Sequence, residues 1–310
     1  MTWSALQVKR SLGFGRNGEG DRVSGSSVEV AVRCEAIIGE GPTWDAATST
    51  LLWVDILGSE VHRFAPGRGS DAVLATPQHV GAVKPRTRGG LVLNLRDGVA
   101  LVDRDGSRTW LVYWARDGLR GNDAAVDPAG RLWAGTMRYD EKPGGWLAVV
   151  EGDGAARVVL DEVSVSNGIA WSPDETLMYY VDSPTRRIDV LDYERVGGAA
   201  TGRRPLVEVT DTAGVPDGIC VDADGCVWVA LHGGGAVRRY TPDGRLDREI
   251  AVPVPQPTAC CFGGPDLADL YVTSARDGLS EDGLAGAPLS GSLLVLPGAG
   301  AGLPSTVFAG

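Results

Sequence analysis

Several common signatures are missing from this sequence. No apolar run of leader-peptide length opens it, and none of membrane-spanning length follows, so neither a leader nor an anchor is expected. Histidine is scarce, with three residues. The five cysteines (Cys34, Cys220, Cys226, Cys260, Cys261) form no paired Cys-x-x-Cys and join no His-x-x-x-His spacing. Neither a zinc cage nor a disulfide framework is expected, and buried free thiols in a reducing cytoplasm are. No Gly-x-Ser-x-Gly elbow occurs, and no Ser or Cys nucleophile has an evident His partner, so covalent catalysis is unsupported. Gly233-Gly234-Gly235 lacks the strand–loop–helix context and the Lys of a phosphate cradle. Basic residues are in deficit, 29 Lys and Arg against 40 Asp and Glu, and the net charge of −11 argues against a nucleic acid or an anionic membrane as partner.

Turn-forming and apolar residues are plentiful. Gly (44) and Pro (18) are scattered between apolar runs in a chain that is 43% hydrophobic, a distribution that predicts many short strands joined by turns. One phrase recurs six times: a turn built on Asp, Pro or Gly, then an apolar run. The copies are PTWDAATSTLLWVDI (42–56), VKPRTRGGLVLNL (83–95), AAVDPAGRLWAGTM (124–137), IAWSPDETLMYYVDS (169–183), ICVDADGCVWVALH (219–232) and CCFGGPDLADLYVTSA (260–275). A hairpin phrase recurring at the length of a four-stranded blade predicts an all-β fold, a six-bladed β-propeller. The propeller is expected over 29–310, with 1–28 as a flexible extension, and either chain end can supply the strand that closes the ring.

Polar residues interrupt the pattern at one place in each of four copies: Gly39-Glu40-Gly41-Pro42, Arg120-Gly121-Asn122-Asp123, Ser166-Asn167-Gly168 and Pro216-Asp217-Gly218. Taken singly, Asn-Gly and Asp-Gly are ordinary turn dipeptides. In register they predict that Glu40, Asn122, Asn167 and Asp217 converge on the propeller axis. Two carboxylates brought together there repel unless one takes a proton or a cation sits between them. An all-oxygen set suits Ca²⁺, Mg²⁺ or Mn²⁺ and does not exclude Zn²⁺. The expectation is therefore a central metal site with positions left open for water and substrate. His62, His79 and His232 read as structural residues.

On these motifs the chain resembles the family of senescence marker protein (regucalcin), gluconolactonases and related lactone hydrolases. GEGPTWDAATSTLLWVDI, RGNDAAVDPAGRLWAGTM, SNGIAWSPDETLMYYVDS and PDGICVDADGCVWVALHGGG match its blade signatures in order, and the resemblance runs from about residue 30 to 310. It implies one divalent metal held by Glu40, Asn167 and Asp217, with Arg120 and Asn122 contacting substrate hydroxyls and Asp140 joining them. Two features depart from the pattern: Ala124 stands where the family has Gly, and a basic loop surrounds Lys84, Arg86 and Arg88.

The expected reaction is the opening of a small lactone, such as a sugar lactone, by metal-activated water. Asp217 is the expected proton acceptor, with Asp123 as its alternative. Arg120 is expected to orient the substrate. Two rivals remain open: a propeller hydrolase of other esters or phosphotriesters, and a propeller that binds a metal or small molecule without turnover.

Overall fold

The structure is a computed structural model. It describes residues 27–212 and 214–310, together with Gln7–Val8. The expected extension, 1–28, therefore lies mostly outside the described residues.

Six sheets stand around an axis, each wound outward from an innermost strand. The innermost strands are Gly39–Asp45, Val80–Pro85, Leu119–Val126, Ser166–Trp171, Val215–Val221 and Pro257–Gly263, for blades one to six. The six repeated phrases are the hairpins from each innermost strand to the next one out. The second strands, such as Thr50–Asp55, Leu132–Arg138 and Val227–His232, are almost wholly buried. Both of their faces are covered by neighbouring blades, which explains why they read as continuous apolar runs. One such interblade layer packs Val54 and Val61 of blade one against Val83, Leu93 and Leu95 of blade two.

The turn residues act locally. In blades three and five the turn Asp (Asp127, Asp222) accepts two backbone N–H groups through Oδ1, and its Oδ2 accepts the indole N–H of Trp133 or Trp228 on the second strand. Gly130 and Gly225 follow with φ of 89° and 79°, a conformation that glycine adopts without steric cost. Turn and blade core are thus fastened by one side chain.

Closure comes from the N-terminal side. Glu29–Val32 forms the outer strand of blade six, pairing antiparallel with Leu293–Leu296. The C-terminal tail instead runs back across the molecule: Phe308 is fully buried and bridges Arg86 of blade two. The basic segment at 84–88 is not a loop throughout. Lys84 is buried within the innermost strand of blade two, and Arg86 is buried against Asp103 (2.7 Å) and the carbonyl of Gly310 (3.0 Å). Of its three basic residues only Arg88 stands exposed.

Candidate active site

Every innermost strand carries a register shift at the same height. In blade one the steps from Glu40 to Thr43 oppose only those from Val54 to Leu52. Gly121 to Ala124, Ser166 to Ile169 and Pro216 to Ile219 behave alike. A β-bulge adds a residue to one strand, bends it and re-aims a side chain. Asn122, Asn167 and Asp217 lie within their bulges and Glu40 at the edge of its own. The glycines after Asn167 and Asp217 are not in the left-handed turn conformation. A Cβ on Gly168 would meet the backbone oxygen of Asp217 at 2.7 Å, and one on Gly218 would meet the Cβ of Ala259 at 2.3 Å. These glycines let the next blade approach, so the turn reading of Asn-Gly and Asp-Gly does not hold here.

The re-aimed residues are all buried, between 4 and 6% exposed for Glu40, Arg120, Asn122, Asn167 and Asp217. A hydrogen-bonded chain links three blades. Arg120 donates to Asn122 Oδ1 (2.5 Å), and Asn122 Nδ2 donates to Asn167 Oδ1 (2.8 Å) and to the Ser166 carbonyl (2.8 Å). Asn167 Nδ2 donates to Ser183 Oγ (2.8 Å), whose hydroxyl donates to the carbonyl of Pro216, next to Asp217 (2.7 Å).

Glu40 joins this group through its charge. Burial and the neighbouring Asp123 push its carboxyl up to about 8, although the Gly41 N–H (2.8 Å) and the Arg120 and Lys84 cations oppose the rise. Asp217 is held well above the ordinary carboxylate range by burial, then by Glu40 and Asp123. Its Oδ1 is buried without a partner among the described residues. Asp123 is raised by burial and drawn back by Lys84, and it accepts the N–H of Ala124 (2.8 Å). Lys84 in turn donates to Thr43 Oγ1 (2.6 Å).

Among the described residues no group of three or more His, Cys, Asp and Glu side chains has the spacing of a metal cage. A cation here would rely on amide oxygen beside carboxylate. The donor set is compatible with one: Asp217 has a buried carboxylate oxygen without a partner among the described residues, and Glu40 is a second buried carboxyl in the same group.

Asp140 stands apart from this cluster. It follows the second strand of blade three at the exposed rim, where Arg138 donates to both its oxygens (2.8 and 2.9 Å). Two of the three histidines have ring or hydrogen-bond partners: His62 stacks on Trp53 (3.8 Å between centroids) and pairs with Asp71, and His79 bonds Tyr139. Two supporting residues went unsuspected. Ser183 is the last residue of a repeat phrase. Asn94 donates to the carbonyls of Asn122 (2.9 Å) and Gly135 (2.8 Å). Its signal was present as a lone amide inside the apolar run LVLNL.

A family model described as the SMP-30/Gluconolactonase/LRE-like region matches residues 38–276. The chain belongs to that family. Among relatives of this SMP-30/gluconolactonase-like protein, the regucalcin of Xenopus laevis is 37% identical over 299 residues, spanning 93% of this chain and all of that one. The 6-deoxy-6-sulfogluconolactonase of Pseudomonas putida is 36% identical over 288 residues, spanning 92% of this chain and 99% of that one. The solved structure of a calcium-binding protein, regucalcin, from Agrobacterium tumefaciens superposes with a TM-score of 0.85 at 32% identity, over 90% of this chain and 97% of that one. The six-bladed propeller is thus the fold of the family.

Proposed function

We propose that this protein is a metal-dependent hydrolase of a small lactone, a sugar lactone first of all, and that Glu40, Asn167 and Asp217 hold its metal. The observation that carries the reading is the buried carboxylate oxygen of Asp217, without a partner among the described residues, beside Glu40 and the Asn122–Asn167 amide pair. The sulfogluconolactonase relative supports the substrate class, and the calcium-binding neighbour supports a divalent ion. A cytoplasmic location belongs to the same reading and rests on the five free cysteines.

Bound among these oxygens, a divalent ion supplies positive charge that polarises an ester carbonyl and acidifies water. The chain's own residues do the rest. Arg120, fixed against Asn122, presents its remaining planar donors to substrate oxygens, which orients the ring. Asn122 is held from both sides and keeps that donor in place. Asp217 accepts a proton from water as the water oxygen bonds to the carbonyl carbon. The ring C–O bond then breaks, the ring oxygen takes a proton, and the product is an open-chain hydroxy acid.

A pH-indicator assay on gluconolactone, aliphatic lactones and phosphotriesters tests the reading. Hydrolysis of gluconolactone, silenced by chelator and restored by Ca²⁺, Mn²⁺ or Zn²⁺, is expected. Turnover that is unaffected by excess chelator, or confined to phosphotriesters, contradicts it.

A further inference from the structure

The rim above the buried cluster carries an aromatic feature that this mechanism does not use. His79 directly precedes the innermost strand of blade two, and Tyr139 directly follows the second strand of blade three, at the same end as Glu40, Asn167 and Asp217. The Tyr139 hydroxyl and His79 Nδ1 are 2.7 Å apart, and the two rings meet edge to face at 5.8 Å. Their backbones are pinned as well. The N–H of Tyr139 donates to Gly118 O (2.9 Å), and the His79 carbonyl accepts from the N–H of Arg96 (2.9 Å). Tyr139 remains 46% exposed, while Arg120, whose guanidinium carbon lies 6.0 Å from the Tyr139 ring centre, is 6% exposed.

A large aromatic side chain half exposed to solvent, fixed at its hydroxyl by a hydrogen bond and standing next to a buried donor, divides labour in a way that suits one ligand class. Cyclic polyols have hydroxyls on their edges and C–H groups on their faces. The edge hydroxyls are partners for Arg120 and Asn122, and the C–H face suits the electron-rich face of a ring. An aliphatic lactone lacks the hydroxyls for the first contact, and its C–H groups, unpolarised by attached hydroxyl oxygens, make the second more weakly. We propose that Tyr139, tethered by His79, is the wall on which the ring face of a polyol substrate stacks, making it a specificity-determining residue of this site. The proposal deepens the lactonase reading and rests on it for the identity of the bond that is broken.

The test uses the full-length protein with saturating Ca²⁺ and the variants Tyr139→Ala, Tyr139→Phe and His79→Ala. Circular dichroism melts are included so that folding losses are recognised. Two readouts are taken: calorimetric binding of methyl glucopyranoside, a cyclic polyol without an ester carbonyl, and kcat and KM on gluconolactone and valerolactone. Losing the wall in Tyr139→Ala weakens glucopyranoside binding and raises KM for gluconolactone about tenfold, with kcat within about twofold. Selectivity for gluconolactone over valerolactone falls by the same factor. Tyr139→Phe and His79→Ala, which keep the ring and free it, cost roughly two- to threefold. Wild-type glucopyranoside affinity in a folded Tyr139→Ala, or an equal loss on both lactones, overturns the proposal. If the wild-type protein opens neither lactone, the lactonase reading fails, while the glucopyranoside comparison still decides the stacking.

Discussion

Blades one, three, four and five differ from blades two and six at a single height. All six innermost strands shift register there, yet only the first four present Glu40, Asn122, Asn167 and Asp217. Blade two has Gly81 and blade six has Thr258 and Ala259 at the corresponding shifts. The two silent blades supply closeness. A Cβ on Gly81 would lie 2.4 Å from the backbone oxygen of Asn122, so blade two presses against the strand that carries Arg120 and Asn122. Thr258 donates to the Gly39 carbonyl (2.5 Å), tying blade six to the strand of Glu40. A backbone device common to the repeat brings a carboxylate or an amide toward the axis in four blades. Where it does not, the blade holds its neighbour in place.

The comparison breaks most severely at a donor. Asp217→Ala is expected to lower lactone hydrolysis by on the order of 10³, measured as kcat/KM, with the fold intact by circular dichroism. Activity near the wild-type level would remove Asp217 from the chemistry. In a silent blade the damage is to stability. Gly81→Val pushes a side chain into fixed backbone, which costs about 3 kcal/mol and is read as a drop in the urea midpoint. A neutral result would mean that blade two does not brace blade three.

Asn94 sharpens the picture, because it serves a donor blade from a silent one. Asn94→Ala strips partners from the buried carbonyls of Asn122 and Gly135 and is expected to cost about 2 kcal/mol. Thr258→Val removes one buried hydroxyl donor and is expected to cost about 1 kcal/mol. A larger loss for Thr258→Val than for Gly81→Val would invert the order of the two silent blades.

The repeat made the architecture legible. Each quoted phrase is a hairpin because its turn Asp, Pro or Gly and its apolar run are local features, and locality survives in a linear reading. Asn167 and Asp217 were legible for the same reason, as polar breaks in register, although their glycines proved to serve interblade packing. Contacts between blades were not legible. Lys84 reads as part of a basic loop, yet its ammonium crosses to Thr43 of blade one inside the axis. Asp140 reads as a partner of Arg120 and Asn122, whereas a hydrogen-bonded pair with Arg138 holds it at the rim. The closing strand could have come from either terminus, since VEVAVRCEAII and GSLLVLPG are equally strand-like until the other five blades are in place.

The central claim, that oxygens from separate blades meet to hold one cation, is tested most directly by calorimetric titration of chelator-treated protein with Ca²⁺, beside Asp217→Asn and Glu40→Gln. Burial keeps the Glu40 carboxyl protonated up to about pH 8 in the metal-free site, so its proton must leave before a cation can bind. The account predicts one ion per wild-type chain, bound more tightly at pH 8.5 than at pH 6.5, and no such ion in either variant. Absence of binding at both pH values, or wild-type binding by Asp217→Asn and Glu40→Gln, would contradict it.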